Sequence, residues 1–112
     1  MPSIKIRTKP DGDKTLLRIL IEHPMETGRR QDERTGQIVP AHYITELKIE
    51  HNGQPVATGL LSTGVSRNPY FSLRLKQAKA SDTIRVGWVD NRGGRDSAEV
   101  TVGAETNGGP PR

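Results

Sequence analysis

Few side chains in this 112-residue chain have the chemistry of a reactive site, and one reactive type is missing. The sequence contains no cysteine, which excludes a thiolate nucleophile, a cysteine-ligated zinc or iron–sulfur site and any disulfide. The imidazoles are His23, His42 and His51, and their spacing matches no metal-binding motif. A zinc site would therefore need carboxylates as its remaining ligands. We predict no metal, no cofactor and a structural or surface role for each histidine.

His23 and Glu26 have the residue types of a general acid and base. They lack the context of an enzyme, because the sequence has no nucleophile elbow, no Ser/His/Asp constellation and no glycine-rich phosphate loop. His42 and His51 bracket a predicted strand, so we expect them near its opposite ends, unable to bind one ligand together. We predict no catalytic residue and no enzyme.

Alternation of apolar and polar residues identifies the elements that position these side chains. Several segments place apolar residues at every second position, as half-buried antiparallel strands require. Twelve glycines and eight prolines interrupt the chain too often for long helices. We predict about seven strands, near residues 3–8, 15–22, 42–51, 55–61, 70–76, 83–90 and 96–102. This pattern predicts an all-β, immunoglobulin-like antiparallel β-sandwich with Trp88 in its core.

Short turn motifs separate the predicted strands. Asn52-Gly53 predicts a two-residue hairpin, because a type I′ turn needs positive φ at both central positions. Pro10-Asp11-Gly12 predicts a turn after the first strand, and Asn91-Arg92-Gly93-Gly94 predicts a turn before the last.

The length allows one domain. We place a single β-sandwich domain at residues 1–105 and expect residues 106–112 to form a flexible tail. No apolar run approaches the ~20 residues of a membrane span. Residues 1–10 lack the apolar segment of an export signal, so the residues alone predict a cytoplasmic protein without membrane contact.

The net charge of +4 is unevenly distributed along the chain. Residues 66–96 carry seven basic and three acidic side chains, more basic excess than any other segment. These side chains are either ordinary solvated strand faces or a surface that attracts an acidic ligand. Nucleic acid is not a predicted partner, because dense Lys/Arg clusters and an aromatic-rich strand are both missing.

Two segments do not fit a plain sandwich. Residues 23–41 form a connection without a strand pattern, longer than the ~12–15 residues usual for loops in compact domains. We expect the flanking strands to form a long hairpin with a charged tip near Arg29–Arg34. Arg67-Asn68-Pro69-Tyr70 predicts a rigid strand entry, since proline fixes its own φ and restricts the preceding residue.

These unusual segments also carry a resemblance to a known family. The motifs are His23-Pro24-Met25-Glu26-Thr27-Gly28, Thr35-Gly36, Ile38-Val39-Pro40-Ala41-His42-Tyr43-Ile44, Asn52-Gly53, Ser66-Arg67-Asn68-Pro69-Tyr70 and Val86-Gly87-Trp88-Val89-Asp90-Asn91. In this order, over roughly residues 10–102, the sequence resembles the Z subunits of bacterial SoxYZ sulfur carriers.

The resemblance implies an immunoglobulin-like subunit without catalytic activity. Its SoxY-type partner would carry the sulfur intermediates of thiosulfate oxidation on a cysteine near its own C-terminus. Other Sox enzymes would contact the pair transiently. The resemblance also implies a periplasmic location reached by export with the partner, against the cytoplasmic expectation above.

We hypothesise that the partner contacts two rigid segments outside the core alternation. They comprise His23, Pro24, Met25 and Glu26 in the first segment and Arg67, Asn68, Pro69 and Tyr70 in the second. Without a partner, we expect weak homodimerisation through the vacant surface. The alternative function is a free-standing β-sandwich accessory module that binds an acidic ligand through the basic side chains of residues 66–96.

Overall fold

The computed structural model describes residues 3–76 and 78–103, which form seven strands. The strands are β1 (Ile4–Asp11), β2 (Lys14–Ile21), β3 (Ile44–His51), β4 (Gln54–Leu60), β5 (Tyr70–Lys76), β6 (Thr83–Asp90) and β7 (Arg95–Thr101). Every predicted strand is present, with ends displaced by no more than three residues. The proposed domain end at residue 105 and the tail 106–112 lie outside the described residues.

The strands form two antiparallel sheets. The first sheet has the order β1-β2-β5 and the second has the order β4-β3-β6-β7. This confirms the predicted all-β, immunoglobulin-like sandwich. In the part of the chain that the structure describes, no helix is long and apolar enough to cross a membrane.

The core lies between the two sheets and follows the predicted alternation. The inward positions are mainly isoleucine, leucine and valine, which suit a pleated, half-buried surface. The largest fully buried side chains are Ile4, Ile6, Leu17, Ile19, Ile21, Ile44, Ile84 and Val86. Trp88 continues the inward positions of β6 and packs against this core as predicted.

Turn chemistry explains two of the hairpins. Asn52 and Gly53 both have positive φ, 51° and 81°, which confirms the predicted hairpin between β3 and β4. The first turn differs from its prediction, because Pro10 and Asp11 pair with β2 as part of β1 and the turn consists of Gly12 and Asp13. Pro10 is tolerated there because β1 is an edge strand.

The long connection crosses from β2 in one sheet to β3 in the other. The flanking strands therefore do not pair, contrary to the expected hairpin between them. Instead the connection folds on itself, with isolated bridges between Glu26 and His42 and between Gln31 and Ile38. At its tip, the Asp32 carboxylate accepts hydrogen bonds from the backbone N–H groups of Arg34 and Thr35. The charged tip is exposed as predicted.

Candidate functional site

A carboxylate is buried where β6 ends. Asp90 continues the inward positions of Ile84, Val86 and Trp88, and its side chain is only 2% exposed. One oxygen, Oδ1, accepts hydrogen bonds from the backbone N–H groups of Arg92 (3.0 Å) and Gly94 (2.7 Å). The other oxygen contacts two histidines. All of the hydrogen bonds that a buried carboxylate needs are therefore provided locally.

His23 and His42 direct the same ring nitrogen at the same oxygen. The distances from Nε2 to Asp90 Oδ2 are 3.0 Å for His23 and 2.8 Å for His42. The ring centroids of the two histidines are 4.6 Å apart, edge to face. We call these three residues the Asp90 cluster. It joins the start of the long connection, its end and the last residue of β6.

The tautomer of His23 follows from its second ring nitrogen. Nδ1 lies 3.1 Å from the backbone nitrogen of Met25, which donates a hydrogen bond to it. Because Nδ1 is an acceptor, Nε2 carries the hydrogen of a neutral ring and donates to Asp90. His23 therefore acts as a bridge between the backbone of the connection and the buried carboxylate.

Hydrogen bonds lower the pKa of the Asp90 carboxyl by more than burial raises it. Burial raises the pKa of this carboxyl, but donation from His23, His42, Gly94 and Arg92 lowers it further, to about 2. Asp90 is therefore an ionised acceptor at neutral pH, held as a structural anion rather than poised to exchange a proton.

Met25 fixes the beginning of the connection. Its backbone has a positive φ of 49°, its side chain is buried, and its sulfur accepts a hydrogen bond from the Ile44 backbone at 3.3 Å. Three residues later, Gly28 has a φ of 84°, and a Cβ there would lie 3.1 Å from the Cβ of Ala41. Glycine is needed here both for conformation and for this close approach. The motif at residues 23–28 thus packs directly against the motif at residues 38–44.

Two asparagines near the Asp90 cluster each exchange a pair of hydrogen bonds with a neighbouring segment. Asn68 donates its backbone N–H to the carbonyl of His23 and accepts the His23 N–H on its side chain. Asn91 makes the same reciprocal pair with Tyr43, and its side-chain amide also donates to Ala41. Each asparagine replaces the pair of bonds that a neighbouring strand residue would supply.

The geometry of the Asp90 cluster raises the question of a metal ion, since its three ligand atoms lie within 4.8 Å of one another. The hydrogen bonds answer it. A metal-binding histidine donates its other N–H to an acceptor, whereas His23 accepts a hydrogen bond there and keeps its hydrogen on Nε2. The oxygens of Asp90 are also occupied by donors. These residues fit a hydrogen-bonded network and not a metal-ligand set.

Spacing along the chain does not predict this convergence. It predicts the separation of His42 from His51, as found, but not the meeting of His23 and His42 on one carboxylate. The missed residue was Asp90, which lies 67 positions from His23 and 48 from His42. A signal was available in the sequence, because a charged residue at an inward position of β6 requires partners.

His23 and Glu26 do not form the acid–base pair considered above. Glu26 pairs with Arg30 through two hydrogen bonds of 3.0 and 2.7 Å. Hydrogen bonding to Arg30 lowers the pKa of the Glu26 carboxyl. Glu26 is therefore engaged in an ion pair with Arg30, whereas the ring nitrogens of His23 contact Asp90 and the Met25 backbone.

The predicted interface residues divide into buried and exposed members. His23 and Met25 are 4% and 5% exposed, and Pro69 is also buried. Tyr70 is 58% exposed, the other exposed members are Pro24, Arg67 and Asn68, and Glu26 is half-buried. A partner can touch the exposed members and Glu26 directly. The buried His23 holds the two segments together, because its backbone exchanges hydrogen bonds with Asn68.

The basic side chains of residues 66–96 do not share a surface. Arg74 and Lys76 lie on the first sheet, whereas Arg85 and Arg95 lie on the second. Arg67, Lys79 and Arg92 lie in connections between strands. The segment with the greatest basic excess is therefore dispersed over the molecule.

Comparison with known proteins identifies the family. No curated protein matches the chain. A family model described as sulphur oxidation protein SoxZ matches residues 4–101, which include all seven strands and the Asp90 cluster. The chain belongs to the SoxZ family of sulphur oxidation proteins.

Proposed function

We propose that this chain is the non-catalytic scaffold subunit of a heterodimeric sulfur carrier. It would hold a SoxY-type partner whose cysteine carries the intermediates of periplasmic thiosulfate oxidation. Membership of the SoxZ family supports a role in sulfur oxidation. The absence of cysteine supports the division of roles, because this chain cannot itself form a thiol-bound intermediate.

One structural observation carries the proposal. The polar residues of the family motifs are engaged with one another: His23 and His42 with Asp90, Asn68 with His23, and Asn91 with Tyr43. A catalytic site needs a group that is free to meet a substrate. This arrangement instead stiffens one end of the sandwich, as a subunit that positions another protein requires.

The partner surface is proposed around Tyr70. Its ring is exposed at the start of β5, directly after the buried Pro69 and the tethered Asn68. A rigid, exposed aromatic residue contributes strongly to an interface, because little side-chain entropy is lost on binding. Met25 and His23 act on this surface indirectly, by fixing the segments that carry it.

Co-purification tests the proposal. The chain is co-expressed with the SoxY-type subunit of the same genome, and the mass of the partner's cysteine adduct is measured after exposure to thiosulfate and the other Sox components. We expect a stable one-to-one complex with the sulfur adduct on the partner alone. Absence of a complex, or turnover by the isolated chain, contradicts the proposal.

Variants locate the interface. Tyr70→Asp should weaken the complex at least tenfold while leaving the fold intact. Leu60→Asp is the matched control, because Leu60 is an 81% exposed apolar residue on the second sheet. An equal effect of both variants, or no effect of Tyr70→Asp, contradicts the placement at Tyr70.

Sedimentation of the isolated chain tests the expected weak homodimer.

The periplasmic location is tested by cell fractionation. We expect this chain in the periplasm when it is co-expressed with a partner that carries an export signal, and not when that signal is deleted. Periplasmic accumulation without the partner contradicts co-export.

A further inference from the structure

The outer face of the three-stranded sheet carries a concentrated excess of positive charge. Strand alternation and pairing place seven basic side chains on this face among the described residues, and Asp11 beside them. We call these seven residues the basic face. They are Lys5, Arg7, Lys9, Lys14, Arg18, Arg74 and Lys76. With Asp11 included, the net charge of this outer face is +6, whereas the whole chain has +4.

The remainder of the chain is therefore acidic overall, with ten basic and twelve acidic residues. The outer face of the four-stranded sheet makes the contrast. Its charged residues are Glu46, Lys48, Glu50, Arg85, Arg95 and Glu99, three of each sign. Ordinary solvation explains such a balanced face, but it does not explain a concentration of one sign on the opposite side.

Cross-strand pairing sharpens this contrast. On the second sheet, Arg85 lies opposite Glu50 on one side and Glu99 on the other, which favours folding. On the first sheet, Arg7 lies directly opposite Arg18. Like charges in that position destabilise a sheet. At this position the first sheet places like charges together where the second sheet places opposite charges, so positive charge is concentrated on its outer face.

The basic face has a regular shape that suits a protein surface. Its positions repeat about 4.8 Å across the strands and about 6.7 Å along them. Leu16 lies between Lys9 and Arg74 across the strands, and Leu20 lies between Lys5 and Tyr70. A hollow of about 230 Å³ opens among Arg7, Thr8, Lys9, Leu16 and Arg18. Carboxylates flanking a few apolar side chains would complement this pattern.

Other anionic partners fit less well. Single-stranded nucleic acid is bound by several stacking aromatic residues, and this face offers Tyr70 alone among the described residues. A lipid surface would need protruding apolar side chains, but Leu16 and Leu20 are half-buried between the basic rows. A second copy of this face would be repelled by its own charge.

The composition also distinguishes a transient contact from a permanent one. Permanent subunit interfaces are largely apolar, and lysine is depleted in interface cores. The basic face contains four lysines: Lys5, Lys9, Lys14 and Lys76. Charges of this kind mainly accelerate encounter and select partners, with affinity that falls as salt rises.

We propose that the basic face is a transient docking surface for a folded protein that presents a carboxylate-rich face. In the heterodimer of the proposed function, on which this inference rests, the subunit interface at Tyr70 takes up the edge of the face beside Leu20 and Lys5, and the opposite part with Lys9, Lys14, Arg74 and Lys76 stays exposed. The Sox enzymes that visit the carrier would approach over it.

Binding of these enzymes to the purified heterodimer tests the inference. Lys9→Glu/Arg18→Glu reverses two central charges on the basic face. Lys48→Glu/Arg95→Glu makes the same change in net charge on the second sheet and is the control. At about 50 mM salt, we expect the first variant to weaken binding of at least one Sox enzyme tenfold or more, and the control less than twofold. Zero-length carbodiimide coupling should join Lys9 or Lys14 to carboxylates of that enzyme.

Each contrary outcome has a distinct meaning. If no Sox enzyme binds the heterodimer, or if both double variants have equal effects, the inference is wrong while the proposed function stands. If reversal of the basic face prevents pairing with the SoxY-type subunit, the face belongs to the subunit interface and the inference is also wrong. Tighter binding of a 20-nucleotide single-stranded DNA than of any Sox enzyme at about 150 mM salt overturns it in favour of nucleic acid. Failure of the unaltered subunits to pair counts against the proposed function itself.

Discussion

The paired strands β3 and β6 carry a histidine–aspartate contact near each end, and the two contacts differ in burial. At one end His42, two residues before β3, meets Asp90, the last residue of β6. At the other end His51, the last residue of β3, meets Asp82, just before β6, at 2.8 Å. The Asp90 side chain is 2% exposed, whereas that of Asp82 is 22% exposed. The same pair of residue types is thus found in a buried environment at one end and in a partly exposed one at the other.

The second histidine at Asp90 attaches a further segment of the chain. At the Asp82 end, β3 continues through a two-residue hairpin into β4 of the same sheet, so no long connection has to be attached there. The Asp90 end must also attach a long connection that changes sheets, and His23 brings the start of that connection to the carboxylate. Burial makes this attachment strong, because an unpaired group there would have no water to replace its partner.

Removal of the two carboxylates gives the largest expected difference. Asp90→Ala leaves the donors of His23, His42 and Gly94 without their acceptor in a buried site, so we expect a loss of about 3 kcal/mol or more. Asp82→Ala should cost much less, because water can replace the lost contacts. Urea unfolding followed by Trp88 fluorescence measures both. Equal losses would contradict the distinction between the two ends.

The pH dependence of stability is the next largest effect. Hydrogen bonding lowers the pKa of both carboxyls to about 2. A carboxyl whose pKa is lower in the folded state stabilises the fold above its unfolded pKa, and that contribution disappears as the pH falls through the folded value. Stability should therefore fall between about pH 4 and pH 2. For Asp90 the loss should be about 2 kcal/mol.

Salt separates the two contributions to this pH dependence. Asp82 is partly exposed to solvent, so 0.5 M NaCl should reduce its share, whereas the buried Asp90 should keep its share. Relative to the unaltered chain, Asp90→Asn should remove much of the salt-resistant part of the pH dependence, and Asp82→Asn should reduce only the salt-sensitive part. The opposite assignment would contradict the burial argument.

Close packing against Asp90 predicts a smaller effect. A Cβ at Gly94 would lie 2.7 Å from Asp90 Oδ2, a carboxylate already held by four donors. Gly94→Ala should therefore cost roughly 1–2 kcal/mol. Gly59→Ala is the control, since nothing lies within 4 Å of its Cβ position and its φ is not positive. Thermal unfolding of both variants checks this, and an equal change would show that the carboxylate can move aside.

Local patterns in the sequence predicted most of this fold. Alternation predicted all seven strands, and Asn52-Gly53 predicted its hairpin, because strands and tight turns depend on neighbouring residues. The first turn was misplaced because proline usually marks a turn, but an edge strand accepts it. The Asp90 cluster was not predicted, since spacing along the chain does not reveal which inward-facing side chains meet.

The distribution of charge has the same limit. Counting along the chain assigned the basic excess to residues 66–96, which the structure disperses over both sheets and their connections. The basic face instead combines β1 and β2 with β5, a strand distant in sequence that pairs with β2. Strand order, which is a property of the whole fold, decides which charges become neighbours.

The smallest expected effect concerns the asparagines at the two ends. Asn68 and Asn52 have nearly the same positive φ, 52° and 51°, and each makes a reciprocal pair of hydrogen bonds, with His23 and Thr83 respectively. Asn68→Ala removes the acceptor of the buried backbone N–H of His23 and should cost about 1 kcal/mol. Asn52→Ala should cost a few tenths less, because the turn that contains Asn52 is exposed. Asn68→Asp keeps the acceptor oxygen and should restore most of the loss. Urea unfolding of the three variants measures this, and a loss in Asn68→Asp as large as in Asn68→Ala would show that the amide N–H₂, and not the acceptor, holds this end.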